Sequence, residues 1–201
     1  EMRRPDGELI PGLTIKPIDT WMNHNTTEVF FDDVEIPASA LVGIEGNGFR
    51  QILDGMNAER ILIASECIGD GRFFLERASD YARDRKVFGR PIGQNQGVQF
   101  PLAKAYAQLR AADLMRWQAA DLFDRGESCG AEANMAKMLA SEASWAAGNA
   151  ALDAHGGFGF AAEYDIERKL RETRLYQVAP INNNLVLAFV AEKCLGLPKS
   201  Y

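Results

Sequence analysis

Three stretches of the chain bring together side chains suited to chemistry. The first is Glu59-Arg60. Ile52, Met56, Leu62 and Ile63 stand at −7, −3, +3 and +4 from Glu59, so a helix sets its carboxylate on an apolar stripe, with Gly55 leaving room one turn earlier. Such surroundings favour proton uptake by a carboxylate and suit a base working near neutrality. The plain alternative is a partly exposed Glu59 paired to Arg60 or another cation. Glu66 shares the stripe and is the reserve candidate. The second stretch is Arg83-Asp84-Arg85-Lys86. The planar fork of Arg85 can hold two phosphate oxygens at once, although a cationic helix end is also favoured by the helix dipole. The third is His155-Gly156-Gly157-Phe158-Gly159, where missing side chains let a backbone approach a dinucleotide closely, or simply cap a helix.

Composition narrows the setting of this chemistry. The 201 residues suffice for one good core, or for one domain and a piece of another. A 47% hydrophobic and 25% charged composition is that of an ordinary globular protein, and no apolar run reaches the roughly 18 residues of a membrane span. The net charge of −6 argues against nucleic acid as a partner. Cys67, Cys129 and Cys194 are scattered and read as small buried apolar residues in a reducing compartment, with cytoplasmic localisation expected. His24 and His155 make no metal site unaided, and no metal is expected.

The elements that must position these residues change character near residue 45. In 1–45, β-formers at Leu13, Ile15, Val29, Phe30 and Phe31 lie between turn residues, predicting two or three strands of an incomplete β domain. From 46 to 201 the spacing predicts helices near 47–84, 96–124, 131–154, 165–173 and 182–195, with Gly69 and Gly71 permitting close packing or a bend in the first. Short connections predict antiparallel neighbours in a bundle, so the expected fold class is mainly α, a four-helix bundle preceded by a few strands.

Several blocks, in order and at matching separations, resemble the acyl-CoA dehydrogenase family. They are Phe31-Asp32-Asp33-Val34-Glu35-Ile36-Pro37, the glycines Gly43, Gly46 and Gly48 before Phe49, and Arg85-Lys86-Val87-Phe88-Gly89-Arg90-Pro91-Ile92 with Asn95-Gln96. His155-Gly156-Gly157-Phe158-Gly159-Phe160 and the Tyr176-Gln177 stretch complete the set. The resemblance implies the end of a middle β domain followed by the C-terminal helical domain. It also implies FAD as cofactor, with Arg85, Asn95, Gln96, Gly156, Gly157, Asn182 and Asn184 contacting it, Arg85 and Gln96 on the flavin of a neighbouring subunit. Three amides opening a helix are equally plain N-cap chemistry. Asp153 departs from the Gln of many relatives, and a carboxylate there suits a pyrophosphate only by pointing away.

The family's Tyr-Gln, two residues, then Glu-Gly-Thr pattern supplies its usual base, and here Pro180 holds the position of that Glu. Proline offers neither an ionisable group nor a backbone N–H for the thioester oxygen, a donor worth on the order of 3–4 kcal/mol in comparable sites. The N–H of Ile181 is a replacement candidate. Some branches, including isovaleryl-CoA-type enzymes, carry their base where Glu59 stands, with the positions of Asn57 and Arg60 near the substrate. The resemblance therefore implies α,β-dehydrogenation of an acyl-CoA, an electron-transfer flavoprotein-type acceptor and a dimer of dimers. A non-catalytic subunit completing a partner's FAD site, and a flavin oxidase or monooxygenase, are the competing readings.

Overall fold

The computed structural model describes residues 2–22 and 25–200, so His24 lies outside the described residues. The chain divides into two compact units, Glu1–Ile52 and Leu53–Tyr201. In the first, β1 (Leu13–Ile18) pairs antiparallel with β2 (Thr26–Phe31), Leu13 opposite Phe31 and Ile18 opposite Thr26. These are two of the two or three strands expected, and an isolated Arg3–Leu9 bridge precedes them. Among the described residues of this unit only Leu13 is buried, and Phe31 is 71% exposed. The ribbon therefore has no core of its own.

Helix α1 (Gly48–Asp84) runs on into the second unit. A small hairpin follows, β3 (Lys86–Val87) and β4 (Arg90–Pro91), then α2 (Gln96–Asp124), α3 (Gly130–His155), α4 (Ile166–Arg174) and α5 (Asn183–Phe189). The expected last helix to 195 is interrupted: Val190–Cys194 forms a π-helical turn after α5. The other helices fall within a residue or two of expectation, because their apolar periodicity is long and their ends are marked by glycine or by capping residues.

Small residues decide how these helices meet. Along α3, Ala133, Ala136, Ala140, Ala143, Ala147 and Ala151 are all buried, and with Ser141, Ser144 and Gly148 they make α3 the central helix. A Cβ at Gly148 would lie 2.7 Å from Leu170 Cδ1 and 3.1 Å from the Phe74 ring, so α1 and α4 both close on that point. Overpacking of this kind costs about 1–3 kcal/mol. Gly71 of α1 plays the same part against Leu109 of α2, whereas Gly69 faces open space. Phe74, Ile68, Leu109 and Ile166 fill the volume between the helices.

Most polar groups inside this packing are paired, although Asp70 Oδ2 and Asn134 Oδ1 have no partner among the described residues. Ser144 Oγ and Thr173 Oγ1 lie 2.8 Å apart, Lys169 Nζ is 2.6 Å from Asp70 Oδ1, and Arg72 and Arg116 both reach Asp113. The most buried cation is Lys137, fully enclosed in the alanine stripe of α3. Its Nζ donates to the Ile181 carbonyl at 2.6 Å and to Asn183 Oδ1 at 3.0 Å. Burial pushes its pKa down to about 8, with Arg60 acting in the same sense and Cys67 and Glu142 opposing. Among the described residues no helix is long and apolar enough to cross a membrane.

Two consequences are measurable. Cys67 and Cys129 are buried, and burial together with the Asp70 carboxylate pushes the Cys67 thiol up to about 12. Cys194 corrects the expectation of three buried thiols: it sits exposed in the π-helical turn, where the last helix leaves the packed face. Peptide-resolved mass spectrometry after native alkylation at neutral pH should find Cys194 modified and Cys67 protected until denaturant is added. The second concerns pH. From about 8 to 10.5 the unfolded chain keeps a proton that folded Lys137 has released, so this group makes stability rise with pH across that window. Denaturant titrations should give a more positive slope of unfolding free energy against pH for the unmodified protein than for Lys137→Met.

Candidate functional site

The residues singled out by sequence fall into two groups at opposite ends of the helical unit. Glu59 and Arg85 are separated by nearly the whole of the second unit's share of α1, about 38 Å at roughly 1.5 Å per residue. One group gathers where α3 begins, the other where α3 ends.

At the first end, α1 presents Asn57, Glu59 and Arg60. Arg60 Nη1 donates to Asn57 Oδ1 at 3.1 Å, and the Asn57 amide faces the Cys129 thiol at the start of α3. The guanidinium of Arg60 is half-buried, and burial draws its pKa below the ordinary value against the opposing pull of Glu59. Its Nε has no partner among the described residues. Glu59 itself is exposed, as are Ile52 at 66% and Leu62 at 59%. The apolar stripe read from the sequence is only partly covered: Met56 and Ile63 are half-buried, Ile63 against the core, while the fully packed face of α1 carries Ala64, Cys67, Phe74 and Ala78. Glu66 is exposed too and faces Tyr176, whose phenol is pushed above its usual range by burial and by Asp70 and Glu66.

The Pro180 turn arrives at the same end and is held from both sides. Arg174 binds the Gln177 side chain and lies over the Trp145 ring at 5.2 Å. Lys137 grips Ile181 and Asn183 on the far side of the cis Ala179–Pro180 bond, and Ser141 completes the Asn183 amide at 3.2 Å. Asn182 accepts from the Leu185 N–H at 2.9 Å, so its side chain is an N-cap. Asn184 is exposed beside it. Among the described residues nothing accepts from the Ile181 N–H.

At the second end, Arg85 is exposed and its guanidinium lies 5.6 Å from the Phe158 ring, which joins it to the Gly156–Phe160 turn. Gly156 has φ +58°, and neither it nor Gly157 would bring a Cβ within 4 Å of any atom. That stretch of backbone is bare. Tyr81 stacks on His155 at 4.3 Å and fixes where the turn leaves α3. Gln96 opens α2 and is exposed. Asn95 is occupied internally, donating to the Ile92 carbonyl at 3.0 Å and accepting from Arg90 at 2.9 Å. Asp153 lines a groove with Lys104, Gln108 and Asn149, which takes its charge into the α2–α3 seam. An exposed guanidinium, an exposed amide and an uncovered glycine turn are a donor set that fits the pyrophosphate of a dinucleotide such as FAD. Among the described residues no three His, Cys, Asp or Glu side chains gather as a metal site.

Sequence reasoning passed over Lys137, Arg174 and the Ser144–Thr173 pair. A single lysine inside the alanine stripe at 133, 136, 140 and 143 was the signal for the first. The partners of the others are set by tertiary contacts with no local signature.

Residues 46–194 match the acyl-CoA dehydrogenase, C-terminal domain family. The chain is 44% identical over 195 residues to acyl-CoA dehydrogenase FadE12 of Mycobacterium tuberculosis (strain ATCC 25618 / H37Rv), covering 95% of this chain and 50% of that protein. The glutaryl-coenzyme A dehydrogenase–glutaryl-CoA complex superposes with a TM-score of 0.88 at 29% identity, over 94% of this chain and 49% of that one. The FAD complex of PigA gives a TM-score of 0.88 at 29% identity, over 93% and 49%. The chain spans about half the length of the curated relatives it matches. Blocks, bundle and relatives agree, and the chain belongs to the acyl-CoA dehydrogenase family.

Proposed function

We propose that the complete polypeptide containing this chain dehydrogenates an acyl-CoA thioester between its α and β carbons, with Glu59 taking the α-proton. One observation carries the reading: the stretch of α1 that holds Glu59 and the turn after Pro180 both meet the first half of α3, Asn57 at Cys129 and Ile181 at Lys137. The carboxylate lost at Pro180 is thereby replaced from α1, in the same neighbourhood. FAD, when bound, supplies the hydride acceptor for the β-carbon. Glu59 holds the abstracted proton. Arg60, tethered to Asn57, orients the substrate beside it and transfers no proton. The Ile181 N–H is left to donate to the thioester oxygen in place of the donor that proline lacks.

The distance between the two groups bears on assembly. Asn182 and Asn184 would meet the flavin nucleotide beside Asn183, which bonds Ser141, while Gly156 and Gly157 with Arg85 and Gln96 would meet a dinucleotide past the end of α3, roughly 22 Å further along that helix. Following the family's arrangement, we assign Arg85 and Gln96, with Asn95 as their support, to the FAD of a neighbouring copy. The exposed apolar side chains of α2, Phe100 (60%), Tyr106 (56%), Leu114 (68%) and Trp117 (61%), offer surface for a homo-oligomer, taken here as a dimer of dimers. Reoxidation by an electron-transferring flavoprotein-type acceptor belongs to the same reading.

Glu59→Gln in the complete, FAD-loaded enzyme should slow flavin reduction by an acyl-CoA by about two to four orders of magnitude while leaving FAD content unchanged. Stopped-flow bleaching reads this, and an unaltered rate would remove Glu59 as the base. Arg85→Leu should weaken FAD retention by about tenfold or more, measured by equilibrium dialysis, through loss of charge-assisted bonds to phosphate. Retention equal to that of the unmodified enzyme would remove Arg85 from the cofactor site.

A further inference from the structure

Lys137 is a buried cation for which the proposed chemistry has no direct use. It is 0% exposed, on a helix whose other buried positions are mainly alanine. A charge there is expensive to desolvate, and an apolar side chain of similar volume would ordinarily stabilise such a core as well or better. What distinguishes the position is where the ammonium group points. It donates to two acceptors of one turn, the Ile181 carbonyl at 2.6 Å and Asn183 Oδ1 at 3.0 Å. Arg174 fixes the turn at Gln177, before Pro180, and Asn182 is committed to capping α5. Between those anchors Lys137 is, among the described residues, the side chain that bonds the backbone after Pro180, while Ser141 and Glu142 meet only the Asn183 amide. The next available N–H is that of Ile181, and nothing accepts from it.

We propose that Lys137 is a positioning residue for the thioester carbonyl: by clamping Ile181 and Asn183 it aims the Ile181 N–H at the oxygen that the proline position can no longer hold. The inference rests on the reading of the first end of the bundle as the acyl-CoA site. It adds the group that keeps the substitute donor in place. Cys67 and Arg60 of α1 and Glu142 of α3 are the titratable groups around the ammonium; Glu142 accepts from the Asn183 amide at 3.5 Å, and among the described residues none of the three bonds the Ile181 backbone.

The test separates carbonyl recognition from general support of the fold. In the complete FAD-loaded enzyme carrying Glu59→Gln, affinities are measured for butyryl-CoA and for S-butyl-CoA, the thioether that lacks the carbonyl oxygen. Adding Lys137→Met should weaken butyryl-CoA binding by about tenfold relative to the thioether. Lys137→Gln, which keeps a neutral donor at the position, should restore part of the difference. It also serves if the Met variant does not fold. Equal losses for both ligands, or no loss, would overturn the proposal and leave Lys137 a purely structural residue. Bleaching of the flavin by butyryl-CoA in the Glu59→Gln background would instead signal failure of the base assignment, independently of the affinity ratio.

Discussion

The close approach of helices to α3 is the constraint on which the rest of the helical unit depends. Buried alanines and Gly148 let α1 and α4 come near enough for Phe74 and Leu170 to meet over the missing side chain. Dispersion and apolar burial then act at short range along the whole of α3. The same proximity makes the buried polar pairs possible. Ser144 reaches Thr173, Lys169 reaches Asp70, and Lys137 reaches across to the turn after Pro180. A wider spacing would leave each of those groups unpaired in a dry interior, where one lost partner costs about 1–3 kcal/mol.

Because α1 and α3 are long, they deliver chemistry at two separated places. The first half of α3 meets Asn57 at Cys129 and the turn after Pro180 at Lys137 and Ser141; its end meets Arg85 through Phe158 and the glycine turn. A rigid bundle of this kind is a spacer as much as a scaffold. Under the proposed function its two ends serve different flavins, which makes the oligomer part of the proposed site.

Most of the helical architecture was legible in the sequence because it is written locally, in apolar periodicity and in the glycines and asparagines at helix ends. The hairpin Lys86–Pro91 and the turn at Gly156 lie where their glycines indicated. Burial was less legible. The stripe around Glu59 reads as core, yet Ile52 and Leu62 are exposed, since periodicity identifies an apolar face without identifying what covers it. Asn95 and Asn182 show the same limit at single residues: their side-chain oxygens accept from Arg90 and from the Leu185 N–H, and the Asn95 amide donates to the Ile92 carbonyl, pairings set by the folded turns. Lys137 is the converse case, a lysine that composition would place in solvent and the packing encloses.

The central claim is that a carboxylate on α1 removes the proton that a residue at position 180 cannot. Exchange of the α-hydrogen of an acyl-CoA with solvent deuterium, followed by mass spectrometry on the complete enzyme, reports that step apart from hydride transfer. The account predicts exchange in the unmodified enzyme and its loss in Glu59→Gln. Equal exchange in both would contradict it.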